Sequence, residues 1–388
     1  MKIVIAPDSY KESLSAMEVA NEIERGFSQV LPNADYIKVP VADGGEGTVQ
    51  SMVDATNGKI IELTVIGPLG EPVTAHYGIL GAKNLGTSVN NCKTAVIEMA
   101  SASGLHHVPA AQRDPQITTS YGTGELICHA LNAGIKHIII GLGGSATNDA
   151  GAGMLQALGV HLLDKNGQPI DVGGAGLETL HRIDVSQLHP LLQSCHIEVA
   201  CDVNNPLCGD KGASAIFGPQ KGATASMVER LDDALSHFAN ITSQTTLTEH
   251  RHTPGSGAAG GMGFAVLAYL NAELKPGIDI VMKTVDLAGA LNGADLVITG
   301  EGRLDSQTLH GKTPMGVTRE ANKQGVPVIA IAGCVSDDAN VLLDHGIDAI
   351  FSITPRAMEL EKVLSNAKHN LYTTSINIAA LYNTNRHR

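Results

Sequence analysis

Hydrophobic and polar positions along the chain follow two alternating patterns: short apolar runs, and longer segments with helical spacing. The apolar run Lys2 to Ala6 is too short for a helix and predicts a buried strand. A helical face follows at Leu14, Met17, Val19, Ile23 and Phe27. A second strand at Tyr36 to Val41 and a second helix at Thr48 to Ala55 complete a strand–helix–strand–helix order. Because crossovers of this kind are right-handed, the order predicts a parallel sheet.

The C-terminal third repeats this pattern. Apolar runs predict strands at Ala294 to Thr299, Pro327 to Ala332 and Ala349 to Ile353. Helical spacing predicts helices at Pro314 to Lys323, Asp338 to Leu343 and Glu359 to Leu381. Strands that alternate with helices at both ends of the chain are typical of an open α/β fold.

The middle of the chain is less regular and predicts a mixed α/β region. Short strands separated by glycines are expected between residues 58 and 100, with further strands around Ile138, at Val160 to Leu163 and at Ile197 to Cys201. The polar, glycine-rich segment 243–257 predicts a surface loop. We therefore predict a Rossmann-like parallel-sheet domain formed by residues 1–70 and 285–388, a second mixed α/β domain inserted at 71–284, and an active site in the cleft between them.

Composition excludes several classes of partner. The net charge of −13 opposes binding to nucleic acid or to an anionic membrane. The six cysteines form no CxxC pair, and no apolar run approaches the roughly 20 residues of a membrane span. Since the apolar run after Met1 is also too short for a signal peptide, we expect a cytoplasmic protein with free thiols, either a monomer or a homodimer.

Acidic residues follow several of the predicted strands directly. Asp8, Asp43, Asp202 and Glu301 each lie just beyond an apolar run. The carboxyl ends of parallel strands form the ligand-binding edge of open α/β sheets, although acids there also cap the following helix. Four such acids favour a shared cleft that binds a divalent metal ion.

A glycine-rich loop between a strand and a helix, residues 141–149, predicts a phosphate site. Glycines allow close approach of a ligand to the backbone, and the free N–H groups of a helix start favour an anion. The loop supplies Gly143, Gly144, Ser145, Thr147, Asn148 and Asp149. The same loop formally matches a dinucleotide fingerprint, with Asp164 after the next strand. A nicotinamide-dependent hydroxy-acid dehydrogenase and a non-catalytic sugar-acid sensor are therefore alternatives to a phosphate-transferring enzyme.

Basic residues in loops are candidates for contacts to anions. Ser306 to Thr313 resembles a Walker A loop without its first glycine, and it places Lys312 at a helix start where it can meet a phosphate oxygen. Lys11, Lys221 and Lys312, taken singly, are predicted to be solvated surface residues. Arg303 is the exception, because its planar fork suits a substrate carboxylate.

Six segments together resemble the class I bacterial glycerate kinases. They are Ala6 to Leu14 (APDSYKESL), Val41 to Thr48 (VADGGEGT), Gly143 to Asp149 (GGSATND), Phe217 to Ala223 (FGPQKGA), Gly257 to Gly263 (GAAGGMG) and Thr299 to Gln307 (TGEGRLDSQ). They occur in the same order along nearly the whole chain. The resemblance implies a Rossmann-like domain with a second domain inserted, and phosphorylation of D-glycerate by ATP and Mg²⁺ to 2-phosphoglycerate in sugar-acid or glyoxylate breakdown.

The resemblance indicates which residues form the site but leaves their roles open. We expect catalytic roles for Asp202, Arg303, Lys11 and Asp8, with Asp202 as the acceptor of the hydroxyl proton. The loop Gly143, Gly144, Ser145, Thr147 and Asn148, together with Lys312, is expected to bind the nucleotide phosphates. Arg303 or Lys11 is expected to hold the glycerate carboxylate, assisted by Gln220, Asp305 and Gly45. Mg²⁺ is expected on one or two of Asp43, Asp149, Glu301 and Asp202.

Overall fold

The computed structural model describes residues 1–82, 93–309 and 311–384. Cys92, and His310 of the Walker-like segment, lie outside these ranges. The five cysteines within them are all free thiols, as the sequence predicts. Within the described part of the chain, no helix has the length and apolar character needed to cross a bilayer.

Strands and helices alternate along most of the chain. The strands are β1 Lys2–Pro7, β2 Asp35–Lys38, β3 Lys59–Ile66, β4 Pro72–Ile79, β5 Thr94–Glu98, β6 His137–Gly141, β7 His161–Leu163, β8 Arg182–Asp184, β9 His196–Ala200, β10 Glu273–Lys275, β11 Leu296–Gly300, β12 Arg303–Leu304, β13 Val328–Ala332, β14 Cys334–Val335 and β15 Ala349–Ser352. The helices are α1 Ala16–Ser28, α2 Thr48–Thr56, α3 Ala100–Ser103, α4 Tyr121–Asn132, α5 Ala152–Ala157, α6 Ala213–Phe217, α7 Ala225–Thr246, α8 Ala258–Tyr269, α9 Gly277–Thr284, α10 Leu287–Leu291, α11 Thr313–Asn322, α12 Leu360–Ser365 and α13 Ala367–Thr384.

The two ends of the chain form one five-stranded sheet in the order β15-β13-β11-β1-β2. All its strand pairs are parallel. Alternate residues of β1 face opposite cores: Ile3 and Ile5 pack in one apolar cluster, and Val4 and Ala6 in another. Burial on both faces explains why the strand is a continuous apolar run in the sequence. The predicted α/β class with a parallel sheet from both termini is confirmed.

The middle of the chain forms a six-stranded mixed sheet in the order β10-β9-β6-β5-β4-β3. The strands β5, β6, β9 and β10 are parallel, whereas β4 is antiparallel to both of its neighbours. Because β3 pairs along its whole length with β4, a boundary at residue 70 would divide a hairpin. We propose that the domain division follows the sheets and lies before Lys59.

One apolar cluster joins the two sheets. It contains Val4 of the five-stranded sheet and Val96 and Ile139 of the six-stranded sheet, together with residues of α2 and α9. The loop before α2 also packs against the start of α9, since a Cβ on Gly277 would lie 2.0 Å from the carbonyl oxygen of Asp43. This packing holds the loop after β2 against the segment that follows β10.

Three predicted segments differ in the structure. The segment predicted as a helix at Asp338 to Leu343 forms a 3-10 helix, Asp337–His345. The closing helix is divided into α12 and α13, with Asn366 between them. The Asn366 side-chain amide donates to the carbonyl oxygen of Lys362, which offers the backbone an alternative to helical bonding. The expected surface loop 243–257 instead begins inside α7 and ends buried, with the Ser256 hydroxyl donating to the carbonyl oxygen of Arg251.

Candidate active site

The glycine-rich loop after β6 forms one wall of a cavity of about 340 Å³. Gly143, Gly144 and Ser145 line it, and Gly144 has a φ of +74°, which favours glycine. The helix that follows, α5, begins at Ala152, so residues 145–151 lie between the glycines and the first helical turn. The intervening residues fold inward, which places Ser145 in the cavity and the following residues beneath it.

Lys221 is the basic residue at the centre of this wall. Its ammonium group donates to Ser145 Oγ and to the Thr147 carbonyl oxygen, both at 2.7 Å. The side chain is buried, and burial lowers its pKa to about 7, while nearby Asp149 opposes the decrease. The sequence prediction that Lys221 is a solvated surface residue is therefore wrong.

A tight turn explains why Lys221 points inward. Gly222 has a φ of +96°, and a Cβ there would lie 2.2 Å from the carbonyl oxygen of Arg113. Only glycine fits this approach, so the chain reverses immediately after the lysine. The glycines on either side of Pro219-Gln220-Lys221 were the sequence signal that could have indicated a built turn.

Asp149 lies beneath the loop and does not line the cavity. Its carboxylate accepts hydrogen bonds from the backbone and hydroxyl of Ser120 and from the N–H groups of Gly151 and Gly153. With its oxygens occupied in this way, Asp149 stabilises the loop and the nearby Lys221 charge. We therefore propose a positioning role for it in place of a metal-binding one.

Thr147 and Asn148 are also fully buried. Asn148 Nδ2 donates to Ser214 Oγ at 2.9 Å, which ties the loop to α6. Neither residue lines the cavity. The structure thus separates the predicted phosphate loop into a part that lines the cavity, Gly143 to Ser145, and a supporting part.

A strained turn supports the loop from behind. Ala259, Gly260 and Gly261 at the start of α8 all have positive φ. Gly260 accepts a hydrogen bond from the backbone of Ala150, and a Cβ on Gly260 would lie 1.9 Å from the Thr147 carbonyl oxygen. The Gly257 to Gly263 segment therefore serves as a backbone support, and it contributes Ala258 and Ala259 to the cavity lining.

Asp43 and Asp202 also line the cavity. Asp202 Oδ1 accepts from the Gly277 N–H at 3.0 Å. Burial raises the pKa of Asp202, and repulsion from Asp43 and Asp279 raises it further, whereas the Gly277 hydrogen bond lowers it. The two acids predicted to follow β2 and β9 are thus brought to one site.

Asp8 and Glu301 directly follow β1 and β11, so acidic side chains lie at the ends of four strands. Burial raises the pKa of Asp8 to about 6, with an opposing hydrogen bond of 2.6 Å from Thr313 Oγ1 and added repulsion from Asp43. Burial likewise raises the pKa of Glu301 to about 7, and the negative charge of Asp8 contributes. Repulsion thus links Asp202 with Asp43, Asp43 with Asp8, and Asp8 with Glu301, although only Asp43 and Asp202 line the cavity.

The remaining predicted residues fall into two groups. Lys11, Gln220 and Gly45 line the cavity. Arg303, Asp305 and Lys312 do not line it; they form an ion-pair cluster beside Glu301. In this cluster Lys312 Nζ lies 3.5 Å from Glu301 and 3.7 Å from Asp305, while Arg303 Nε lies 3.3 Å from Asp305.

The dinucleotide fingerprint does not have its required context. Asp164 lies in the turn after β7, and β7 pairs only with β8 in a separate two-stranded sheet within the described chain. Its carboxylate accepts from the backbone of Asn166 and Gln168 within that turn. An acid that binds a ribose would have to follow a strand adjacent to β6, so the dehydrogenase alternative has no support.

Comparisons with known proteins identify the family of the chain. The sequence model of the glycerate kinase family matches residues 3–383. The chain is 58% identical over 380 residues to a glycerate kinase of Bacillus subtilis, covering 98% of this chain and 97% of the relative. It is 55% identical to the glycerate 2-kinase of Escherichia coli, with the same coverage.

A solved structure shows the same fold. The crystal structure of a glycerate kinase 2 candidate from Salmonella typhimurium LT2 superposes with a TM-score of 0.91 at 55% identity, and the match covers all of both chains. Together with the match along residues 3–383, this shows that the chain is a phosphotransferase of the glycerate kinase family.

Proposed function

We propose that the protein transfers the γ-phosphoryl group of ATP to the 2-hydroxyl of D-glycerate, which yields 2-phosphoglycerate and ADP. The observation that supports this most directly is the cavity itself, which a buried ammonium and the carboxylates of Asp43 and Asp202 line together. The E. coli relative carries the name glycerate 2-kinase, which supports position 2. Breakdown of sugar acids or glyoxylate is the metabolic setting that would supply glycerate.

Lys221 is the group best placed to hold the glycerate carboxylate. A buried ammonium interacts strongly with an anion because little water screens the pair. Gln220 and Ser145 line the same part of the cavity and can bond to the substrate hydroxyls. We therefore propose Lys221, in place of Arg303, as the residue that binds the glycerate carboxylate. The Arg303 side chain is 65% exposed and already bonded to Asp305 and Ser336.

Asp202 would accept the proton of the attacking hydroxyl. A new bond forms between the glycerate oxygen and the γ-phosphorus, the bond to the bridging oxygen of ADP breaks, and the proton moves to an Asp202 carboxylate oxygen. The raised pKa of Asp202 favours this role, since a base works best when its pKa approaches the working pH. Lys11 and the backbone of Gly143 and Gly144 would neutralise the transferring group.

Asp8, Asp43 and Glu301 are the residues proposed to bind a hard divalent cation. The Asp8 carboxylate and those of Asp43 and Glu301 repel each other pairwise, and oxygen donors of this kind are those that Mg²⁺ prefers. When bound, Mg²⁺ would neutralise charge on the phosphates and align them. Asp8 and Glu301 are in turn held in place by hydroxyl groups, those of Thr313 and Thr308.

A coupled assay of ADP release with D-glycerate, followed by phosphorus NMR of the product, tests this proposal. We expect turnover that requires both D-glycerate and Mg²⁺, and a phosphorus resonance coupled to the proton on C2. A product coupled to the C3 protons would overturn the regiochemistry. Absence of glycerate-dependent ADP release would overturn the proposed function.

A further inference from the structure

A second cavity, of about 280 Å³, opens at the carboxyl end of the five-stranded sheet. Its floor is formed by Gly302 and Gly333, whose backbones are in close contact: a Cβ on Gly333 would lie 2.4 Å from the Gly302 carbonyl oxygen. Ile353, Met358 and Leu360 are among its apolar walls. We call this cavity the apolar slot. Its floor of two glycines, which carry no side chains, and its apolar walls are suited to a planar, weakly polar ligand.

The catalytic cavity is too small for an entire nucleotide beside glycerate. Its volume of about 340 Å³ lies near the lower end of the range for small-molecule sites, roughly 300–1,000 Å³. Lys11 lines both this cavity and the apolar slot, so the two are adjacent. A donor whose phosphates reach the catalytic cavity past Lys11 would place its remaining part in the slot.

One wall residue of the slot exposes a large apolar surface. Leu360 is 69% exposed, an unusual environment for a leucine that lines a concave site. A ligand in the slot would cover it and gain apolar burial. The polar groups at the rim are few, and include the hydroxyls of Ser13 and Thr354, which already donate to the carbonyl oxygens of Tyr10 and Gly333. Both hydroxyl oxygens remain able to accept hydrogen bonds from a ligand N–H.

We propose that the apolar slot binds the purine base of the nucleotide donor. The inference rests on the proposed kinase function. It adds a subsite for the base that is distinct from the cavity in which the phosphate is transferred. It places the phosphates over Gly302, beside the charged cluster of Glu301 and Lys312.

Cys334 supplies a direct probe, because it lines the slot and its side chain is exposed. Full-length protein would be treated with iodoacetamide, and the rate of Cys334 alkylation followed by peptide mass spectrometry. We expect saturating Mg-ADP to slow alkylation at least tenfold. Saturating tripolyphosphate with Mg²⁺, and D-glycerate alone, should leave the rate within twofold, since neither carries a base.

The outcomes separate this inference from the proposed function. If the enzyme phosphorylates glycerate with ATP but ADP does not protect Cys334, the assignment of the apolar slot as the base subsite is wrong. Equal protection by tripolyphosphate would also overturn it, because the slot would then bind phosphate. If ADP protects Cys334 but glycerate is not phosphorylated, the base subsite is supported and the proposed function is wrong.

A matched pair of variants provides a second test. Leu360→Ala should raise KM for ATP about three- to tenfold, leaving kcat and KM for glycerate within twofold, because the leucine contributes equally to ground-state and transition-state binding. Leu381→Ala removes a leucine of similar exposure, 59%, on α13 outside the slot, and should change neither constant. Unchanged KM for ATP in Leu360→Ala would contradict the slot.

Discussion

The ammonium of Lys221 and the hydroxyl of Ser145 lie 2.7 Å apart, although 76 positions separate them in sequence. This bond joins the turn before α7 to the glycine-rich loop after β6. It also leaves the lysine charge at the surface of a cavity that Asp43 and Asp202 line as well. We propose that the substrate anion binds at Lys221 and that the carboxylates serve the metal ion and the transferred proton.

Replacing this lysine should affect glycerate more than ATP. Lys221→Met retains an apolar stem of similar length but removes the charge. A hydrogen bond to a charged group is worth about 1.5–3 kcal/mol, so we expect KM for glycerate to rise at least tenfold, with a smaller change for ATP. Steady-state kinetics would measure both. Lys211→Met, at an exposed residue outside the cavity, is the control, and a KM for glycerate within threefold of the parent in Lys221→Met would contradict the assignment.

Glycerate binding should weaken as the pH rises through about 7. The pKa of Lys221 is lowered by burial to about 7, so the free enzyme loses this charge at mildly alkaline pH, while the substrate carboxylate stays ionised. Calorimetric titration with D-glycerate between pH 6 and pH 9 would measure the affinity. In Lys221→Met the affinity for D-glycerate should no longer show the decrease that deprotonation of Lys221 causes. If affinity depends on pH identically in both proteins, Lys221 is not the origin of the decrease.

The same shift predicts a pH dependence of stability. Because the folded pKa of Lys221 is below the ordinary value of 10.5, the unfolded chain binds more protons between about pH 7 and 10.5. The destabilisation caused by the buried charge is fully present below pH 7 and is relieved as the pH rises. The free energy of unfolding of the parent, relative to that of Lys221→Met, should therefore increase from pH 7 to pH 9 in urea titrations.

Asp202→Asn tests the proposed general base. Removal of general-base assistance costs about 10²–10⁴-fold, so we expect kcat to fall at least 100-fold, with the melting temperature little changed. Asp279→Asn alters a neighbouring acid that raises the pKa of Asp202 but does not line the cavity, and its kcat should stay within a few-fold. Near-normal turnover in Asp202→Asn would move the role of base to another residue.

Arg303→Lys distinguishes the sequence hypothesis from the structural placement. A carboxylate clamp would require KM for glycerate to rise, whereas Arg303 lies outside the catalytic cavity and is the register partner of Cys334 in the apolar slot. We therefore expect KM for ATP to rise several-fold, and KM for glycerate to stay within twofold. A selective increase in KM for glycerate would instead support the hypothesis that Arg303 binds the glycerate carboxylate.

Glu198 should contribute stability rather than activity. Its carboxylate accepts from His137 at 2.9 Å and Lys275 at 2.7 Å, and the His137 hydrogen bond is the main cause that lowers its pKa to about 2. Breaking a buried pair costs roughly 3–5 kcal/mol, and we expect about 3 for Glu198→Gln at pH 7 because Lys275 is partly exposed. The stabilisation is present above pH 4.5 and is lost as the pH falls toward 2, so the difference from the parent in urea unfolding should shrink at pH 4.

An exposed neighbour provides the control for that measurement. Glu273 also bonds to Lys275, but its side chain is 57% exposed, so Glu273→Gln should change stability much less. Equal destabilisation by both variants would show that Lys275, rather than the buried His137 contact, is the stabilising partner.

Much of the fold could be predicted from local patterns. The continuous apolar run at Lys2 to Ala6 indicated a strand buried on both faces, and β1 is such a strand. The acids after β1, β2, β9 and β11 could be expected to meet, because the carboxyl ends of parallel strands share one edge. Short strands separated by glycines could be expected between residues 58 and 100, but the local pattern did not show which of them pair, and the expected boundary at residue 70 therefore divides the β3–β4 hairpin.

The sequence by itself determined the elements, the α/β class and the candidate loops, because apolar periodicity, glycines and strand-end acids are local features. Only the tertiary structure decided which side chains enter the cavity. Lys221 points inward because Gly222 permits a reversal against Arg113, and Asp149 points away because four donors surround it. These contacts join segments far apart in the chain, and their effect depends on burial, which no local pattern specifies.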